Sequence, residues 1–297
     1  MARKNPRYLA RNFAISSLFA SLLIGFLTPI SADALVLSRP ATHWGNVYAG
    51  PASSANQTAK PKATYLEKKS KIVVKYNNFP EWTKVQVQAA VDVWAANFES
   101  KVPIYIDATW GRSSSFSVLG SARPGSYFAN FSGAPDSSLW YPSALANALA
   151  GKDLDGDNPE MIITVNSLAN WYRGTGVGPS KTEYDLQSVI LHEMAHGLGF
   201  LSTDSYDSFF GYGSIDQPTP YDAYVQTGDG RRLSDLPSPS LELGEALTSK
   251  LVWSGQQGIT ANGGVKPLLY TPKKYEDGSS VSHLDEATFP SPNPNAV

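Results

Sequence analysis

The sequence predicts an α+β fold, with a sheet backed by helices in its first part and a more irregular second lobe. Three observations point there. Strand-like runs near residues 72–76, 102–107 and 161–165 are separated by helical and irregular segments. Residues Glu81 to Ser100 carry apolar side chains at helical spacing. After Gly199 the prolines Pro218, Pro220, Pro237, Pro239, Pro290, Pro292 and Pro294 forbid continuous helix through much of the remainder.

With 297 residues, 42% of them hydrophobic, the chain can bury one large core or two lobes sharing one. Basic residues number 24 and acidic ones 26, so the basic footprint of a nucleic-acid binder is missing and that class is set aside. The sequence has no cysteine. This removes thiol catalysis, thiolate zinc sites and latency through a thiolate on the metal. A metal ion here has to be held by histidine and carboxylate.

At the N-terminus, Arg3, Lys4, Arg7 and Arg11 precede an apolar run from Phe13 to Leu27 and then Ala32-Asp33-Ala34. Basic, apolar and small-x-small segments in that order read as a signal peptide over residues 1–34. The apolar run is shorter than the roughly 20 residues that span a bilayer. A secreted or surface-exposed protein without stable membrane insertion is therefore expected. Residues 35–69 are rich in Ala, Ser, Pro and Lys without apolar periodicity and read as a solvated linker or a short prosegment. The folded domain is expected over 70–297, with one lobe to residue 200 and a second from 201.

Ile72, Val73, Val74 and Tyr76 form the first strand candidate, and Asn78-Phe79-Pro80 reads as a helix start. In the following segment Val87, Val91, Trp94 and Phe98 are spaced four, three and four apart, which places them on one face of an amphipathic helix. Val102–Asp107 and Met161–Val165 are further strands. Gly111–Asn158 is rich in Gly, Ser, Pro, Asn and Asp and is expected to form long surface loops. Within it, Asp153, Asp155 and Asp157 alternate as in calcium loops, but Gly156 and the lack of a suitably spaced Glu break that pattern and favour a solvated acidic turn.

The chemistry concentrates in DLQSVILHEMAHGLGF, residues 185–200. Leu186, Val189, Ile190, Ala195 and Leu198 give it a broad apolar surface, and Ser180 with Glu183 offers a capping box. His192 and His196, four apart on such a helix, project from one face and can share a zinc ion, while Glu193 points beside it. Zinc held by neutral imidazoles makes water a nucleophile near neutral pH, and Glu193 is then the general base. Burying two histidines and a glutamate without a ligand in so apolar a segment would be costly, which argues against a chance match.

A catalytic zinc usually takes a third protein ligand. Gly199 permits a sharp turn, and in the compact version of the motif the ligand stands three residues later, where this chain has Ser202. Of four histidines, His43 lies in the expected linker, leaving His283 in GSSVSHLDEATFP as the leading candidate. Asp204, Asp207, Asp216, Asp222, Glu242 and Glu245 are the carboxylate alternatives.

HEMAHGLGF followed much later by VSHLD resembles the leishmanolysin-type metallopeptidases and their bacterial relatives, over residues 70–297. The resemblance implies zinc ligation by His192, His196 and His283, Glu193 as catalytic base, and protein or peptide substrates. It also implies a metzincin-like fold, with an upper lobe of twisted sheet and zinc-binding helix above an irregular lower lobe. Met161–Val165 would be the strand along which substrate lies. The family places a methionine-containing turn beneath the metal shortly after the third histidine, whereas this chain has no methionine beyond Met194. Either the chain is truncated within its final element, or other residues such as Phe289 build that support.

Two further classes compete with a secreted zinc endopeptidase. One is a catalytically inactive, zinc-stabilised surface or adhesion protein. The other is an aromatic-rich glycan-binding module, suggested by 7 tryptophans and 15 tyrosines, although such residues more often pack cores and loops. The oligomeric state is not encoded in any of these features.

Overall fold

A computed structural model describes residues 35–49 and 67–288, apart from 114, 116, 175–177, 181 and 286. The expected signal peptide and Phe289 lie outside the described residues. Among the described residues no helix is long and apolar enough to cross a membrane.

In chain order the first elements are β1 (Leu37–Pro40), β2 (Gly45–Tyr48), β3 (Ile72–Asn77), α1 (Glu81–Asn97), β4 (Ile104–Gly111), β5 (Val118–Pro124) and β6 (Ser126–Ala129). They are followed by β7 (Tyr141–Pro142), α2 (Ser143–Ala150), β8 (Met161–Asn166) and α3 (Leu186–Leu198). The lower lobe adds β9 (Asp204–Asp207), β10 (Tyr212–Ile215), β11 (Val225–Thr227), α4 (Leu241–Leu247), β12 (Leu251–Trp253) and α5 (Gln256–Ala261). Among the described residues, several sheets with five α-helices make this a mixed fold compatible with the α+β class.

The main sheet has the order β2-β5-β8-β4-β3. Strands β3, β4 and β8 are parallel, β5 runs antiparallel to β8, and β2 runs antiparallel to β5. Along β4, Ile104, Ile106 and Ala108 are buried and alternate with the more exposed Tyr105 and Asp107. That period of two means the sheet buries one face more deeply than the other. Val87, Ala90 and Val91 of α1 and Leu186, Val189, Ile190 and Met194 of α3 share a core with these strands. Trp94 and Phe98, the other predicted members of the α1 face, pack at its margin, and Trp94 Nε1 donates to the Leu191 carbonyl at 3.0 Å. This bond ties the two helices together. Gly197 lets α3 approach the sheet, since a Cβ there would run into the Met161 side chain.

Three expectations need correction. Within the linker or short prosegment expected over 35–69, of which 50–66 lie outside the described residues, residues 35–49 form strands: they supply β1, which pairs with β6, and β2, the edge of the main sheet. Their small and polar composition hid them because backbone pairing, rather than an apolar face, holds them. Gly111–Asn158 is likewise more than loop, since it contains β5, β6, β7 and α2, short apolar stretches set among the Gly, Ser, Pro, Asn and Asp that dominate its composition. A turn forms at the acidic segment, with Asp153 Oδ1 accepting from the amides of Asp155 and Gly156 at 3.1 and 3.0 Å, but it is not fully solvated, because both carboxylate oxygens of Asp155 are buried.

The lower lobe has its own core of Tyr221, Val225, Leu233, Leu243, Leu247, Leu251, Leu269 and Val281. Here Asp204 and Asp222 are buried side by side with different support. Asp222 accepts from Ser202, Thr203 and Thr219, whereas Oδ2 of Asp204 makes no hydrogen bond. Burial pushes the Asp204 carboxyl up to about 7. The folded protein therefore retains a proton that the unfolded chain releases near pH 4, and ionisation costs stability as pH rises from about 4 to about 7. We predict that Asp204→Asn, which mimics the protonated acid, gains relative to the wild type by on the order of 4 kcal/mol between pH 4 and pH 8. Urea unfolding at the two pH values measures this, and an unchanged difference between variant and wild type would refute it.

Candidate metal centre

Helix α3 begins later than its expected capping box. Ser180 and Glu183 do bond reciprocally, but they form a turn ahead of the helix, while Asp185 is the N-cap and accepts from the Ser188 amide at 3.2 Å. The nearer short carboxylate prevails because it reaches the first free amides directly. At the other end Gly199 adopts φ 114°, the left-handed conformation expected at a helix C-terminus, and the chain turns into Phe200.

His192 and His196 stand on adjacent turns of α3, with Nε2 atoms 2.9 Å apart. His283 arrives from the lower lobe, and its Nε2 lies 2.9 Å from that of His192. The three rings are mutually adjacent, with centroids 4.6 to 4.9 Å apart. Delivery of His283 depends on Val281, which is fully buried at φ 67°, a strained conformation for a β-branched residue. Tyr221 holds it there by donating from its hydroxyl to the Val281 carbonyl at 2.6 Å.

The tautomers follow from the outer contacts. His196 Nδ1 lies 2.8 Å from the Phe200 carbonyl, and His283 Nδ1 lies 2.8 Å from that of Ser279. Carbonyls only accept, so both Nδ1 atoms carry the proton and both Nε2 atoms present lone pairs. Burial and, for His192 and His196, the neighbouring rings depress the pKa values, with His196 lowered to about 3. At neutral pH the cluster is an uncharged set of lone pairs facing one point, which calls for an electrophile. Three ligands at about 2.0–2.1 Å in a tetrahedral array are about 3.3 Å apart. The rings thus need only a small outward adjustment to hold a metal ion, and together they form a group able to do so.

Glu193 is completely buried beside the histidines, and neither carboxylate oxygen completes a hydrogen bond of normal geometry. Burial raises its pKa well above the usual carboxylate range, and the backbone amide of Val47 acts in the opposite direction. Gly120 of β5 makes room for it, because a Cβ there would come 2.7 Å from Glu193 Oε1.

The carboxylate alternatives are engaged elsewhere or lie outside the cluster. Asp222 is spent on hydroxyls and an amide, Asp207 accepts from the amides of Phe209 and Phe210, and Glu242 pairs with Arg231. Asp204, Asp216 and Glu245 are not among the converging groups. Asp153, Asp155 and the buried Glu160 form a second acidic group. Glu160 already accepts from the Tyr105 amide at 2.6 Å and Asn147 at 3.0 Å, which makes it a structural link between β4 and α2.

Sequence reasoning misplaced one element of the site. Met161–Val165 lies between β4 and β5 in the sheet and so cannot offer a free edge to an extended ligand. The strand over α3 is β5, whose only advance signal was the small residue at Gly120. Comparisons with protein families, curated proteins and solved structures gave no match.

We predict that His283→Ala weakens zinc binding by more than the roughly 10–100-fold typical of removing an outer-shell partner. Competition with a chromogenic chelator reads this directly. Equal affinity in variant and wild type would exclude His283 as a ligand.

Proposed function

We propose that the chain is a zinc-dependent endopeptidase that hydrolyses protein or peptide substrates with Glu193 as general base. The observation that carries this reading is the convergence of three imidazole Nε2 atoms next to the buried carboxylate of Glu193. A donor set of three neutral imidazoles suits zinc and leaves a fourth position available. When bound, zinc lowers the pKa of a coordinated water to about 7 and polarises a carbonyl.

The chain's own residues supply the rest. His196 and His283, oriented by carbonyls, need no rearrangement of protons to act as ligands. Glu193 sits in a water-poor position where its proton affinity is high, which suits a group that takes a proton and then passes it to a leaving amine. The positive charge of the ion opposes the rise caused by burial, bringing the carboxyl towards a value useful near neutral pH. The mixed α+β fold and the likeness of residues 192–200 and 281–285 to leishmanolysin-type enzymes support a metzincin-like reading. In this reading residues 1–34 direct export, and the protein acts outside the cell.

The expected outcome for Glu193→Gln is retained zinc at about one ion per chain, with peptide hydrolysis reduced roughly 10²–10⁴-fold. Metal analysis and turnover of an unstructured protein such as casein check both parts. Hydrolysis at the wild-type rate would eliminate Glu193 as the base.

The enclosure of Glu193 favours a second reading, an inactive surface protein that uses zinc for stability. It requires that zinc raise the melting temperature while no protein substrate is cut under any condition.

A further inference from the structure

A general base must meet both water and substrate, yet Glu193 has no exposed surface. Two strands close over the site: β5 lies on Glu193 at Gly120, and β2 passes over His196. Gly45 lies against the His196 imidazole so closely that any Cβ would enter the ring, and Val47 directs its amide towards Glu193. Strand β2 spans the gap between the two lobes. On one side it continues the main sheet antiparallel to β5, pairing Gly45 with Ala122, Asn46 with Ser121 and Val47 with Gly120. On the other it meets the segment that delivers His283: the Asn46 amide donates to the Gly278 carbonyl at 2.9 Å, and Ser279 Oγ donates to the Asn46 carbonyl at 3.3 Å. The Asn46 side chain reaches both ways, accepting from Ser121 Oγ at 2.6 Å and donating to the Asp277 carbonyl at 3.4 Å.

We propose that Gly45–Tyr48 is an intramolecular blocking strand that occupies the place of an extended peptide between β5 and residues 277–279, so that the described conformation is latent. This regulation rests on the endopeptidase reading of the same site. Its logic differs from latency through a metal ligand, because no residue of 45–48 has a side chain that binds zinc and the chain has no cysteine. Backbone pairing holds the strand, and glycine at 45 lets it pass over the histidine. A substrate must displace it by making equivalent main-chain bonds, which any extended peptide can offer. The position facing His196 then disfavours a bulky side chain.

A reducible lock tests this in the full chain. Asn46 and Ser121 are register partners whose side chains touch, and the sequence contains no competing cysteine. The double variant Asn46→Cys, Ser121→Cys is oxidised and compared with itself after reduction by a phosphine. In the metal-free protein, diethyl pyrocarbonate labelling of His196 is mapped by mass spectrometry. In the zinc-loaded protein, casein turnover is followed. Because labelling requires the strand to open, unlocking is expected to speed His196 labelling by about tenfold or more. Turnover, absent in the oxidised form, is expected to rise in parallel. Equal labelling in the two forms overturns the blocking strand. Faster labelling on reduction with no turnover in either form leaves the strand as a cover and sinks the endopeptidase reading instead.

Discussion

The structure around the histidines depends on two hydrogen bonds that do not touch the metal position at all. Because Phe200 and Ser279 each present a carbonyl to an Nδ1 atom, His196 and His283 have no choice of tautomer. Two lone pairs are thereby aimed at a common point, and His192 adds a third nitrogen. Nitrogens that carry no proton on the facing side cannot hydrogen-bond to one another, so such an arrangement suits a cation. Neutral rings, enforced by burial, hold this arrangement in place at physiological pH.

The three rings come together at unequal cost. His192 and His196 meet through helix geometry alone, four residues apart on α3. His283 is 87 residues beyond His196 in the chain, and it reaches the site only because a separate lower core fixes its segment. Val281 belongs to that core, so packing of the lower lobe and placement of the third imidazole are one event. Loss of lower-lobe packing should then be felt first as displacement of His283 from the other two rings, since the upper core of β4, β8, α1 and α3 contains none of the lower-lobe residues.

Much of this was legible in the residues, and what was not has a common cause. The α1 face, β3, β8 and the histidine helix announced themselves through apolar periodicity. The pairing of His283 with the helix came from scarcity, there being only four histidines to consider. Strands β1, β2 and β5 were overlooked because Gly45, Gly120, Ser121 and Ala122 contribute shape rather than hydrophobicity: their value lies in the absence of a side chain where the sheet crosses α3. The misassignment of Met161–Val165 to a substrate-facing edge has the same origin. Met161–Val165 is apolar because it is buried in the middle of the sheet, whereas the strands on the α3 side, β5 and β2, carry small residues and a weaker signal.

That relation between small residues and closeness also explains why the site is shut. Gly120 lets β5 settle over Glu193, and Gly45 lets the next strand settle over His196, so the features that exclude water from the carboxyl also exclude a ligand. An open form has to expose the edge of β5, an unpaired row of amides and carbonyls next to the histidine cluster. Such an edge is a template for any extended chain. Covering it with a segment of the same polypeptide costs little loop entropy and protects the edge from association with other molecules. A strand held by main-chain bonds is also exchangeable against peptides in general, whereas a side chain bound to the metal would have to be removed chemically or by competition at the ion itself. Broad access once opened and strict closure beforehand are then two consequences of the same backbone ladder.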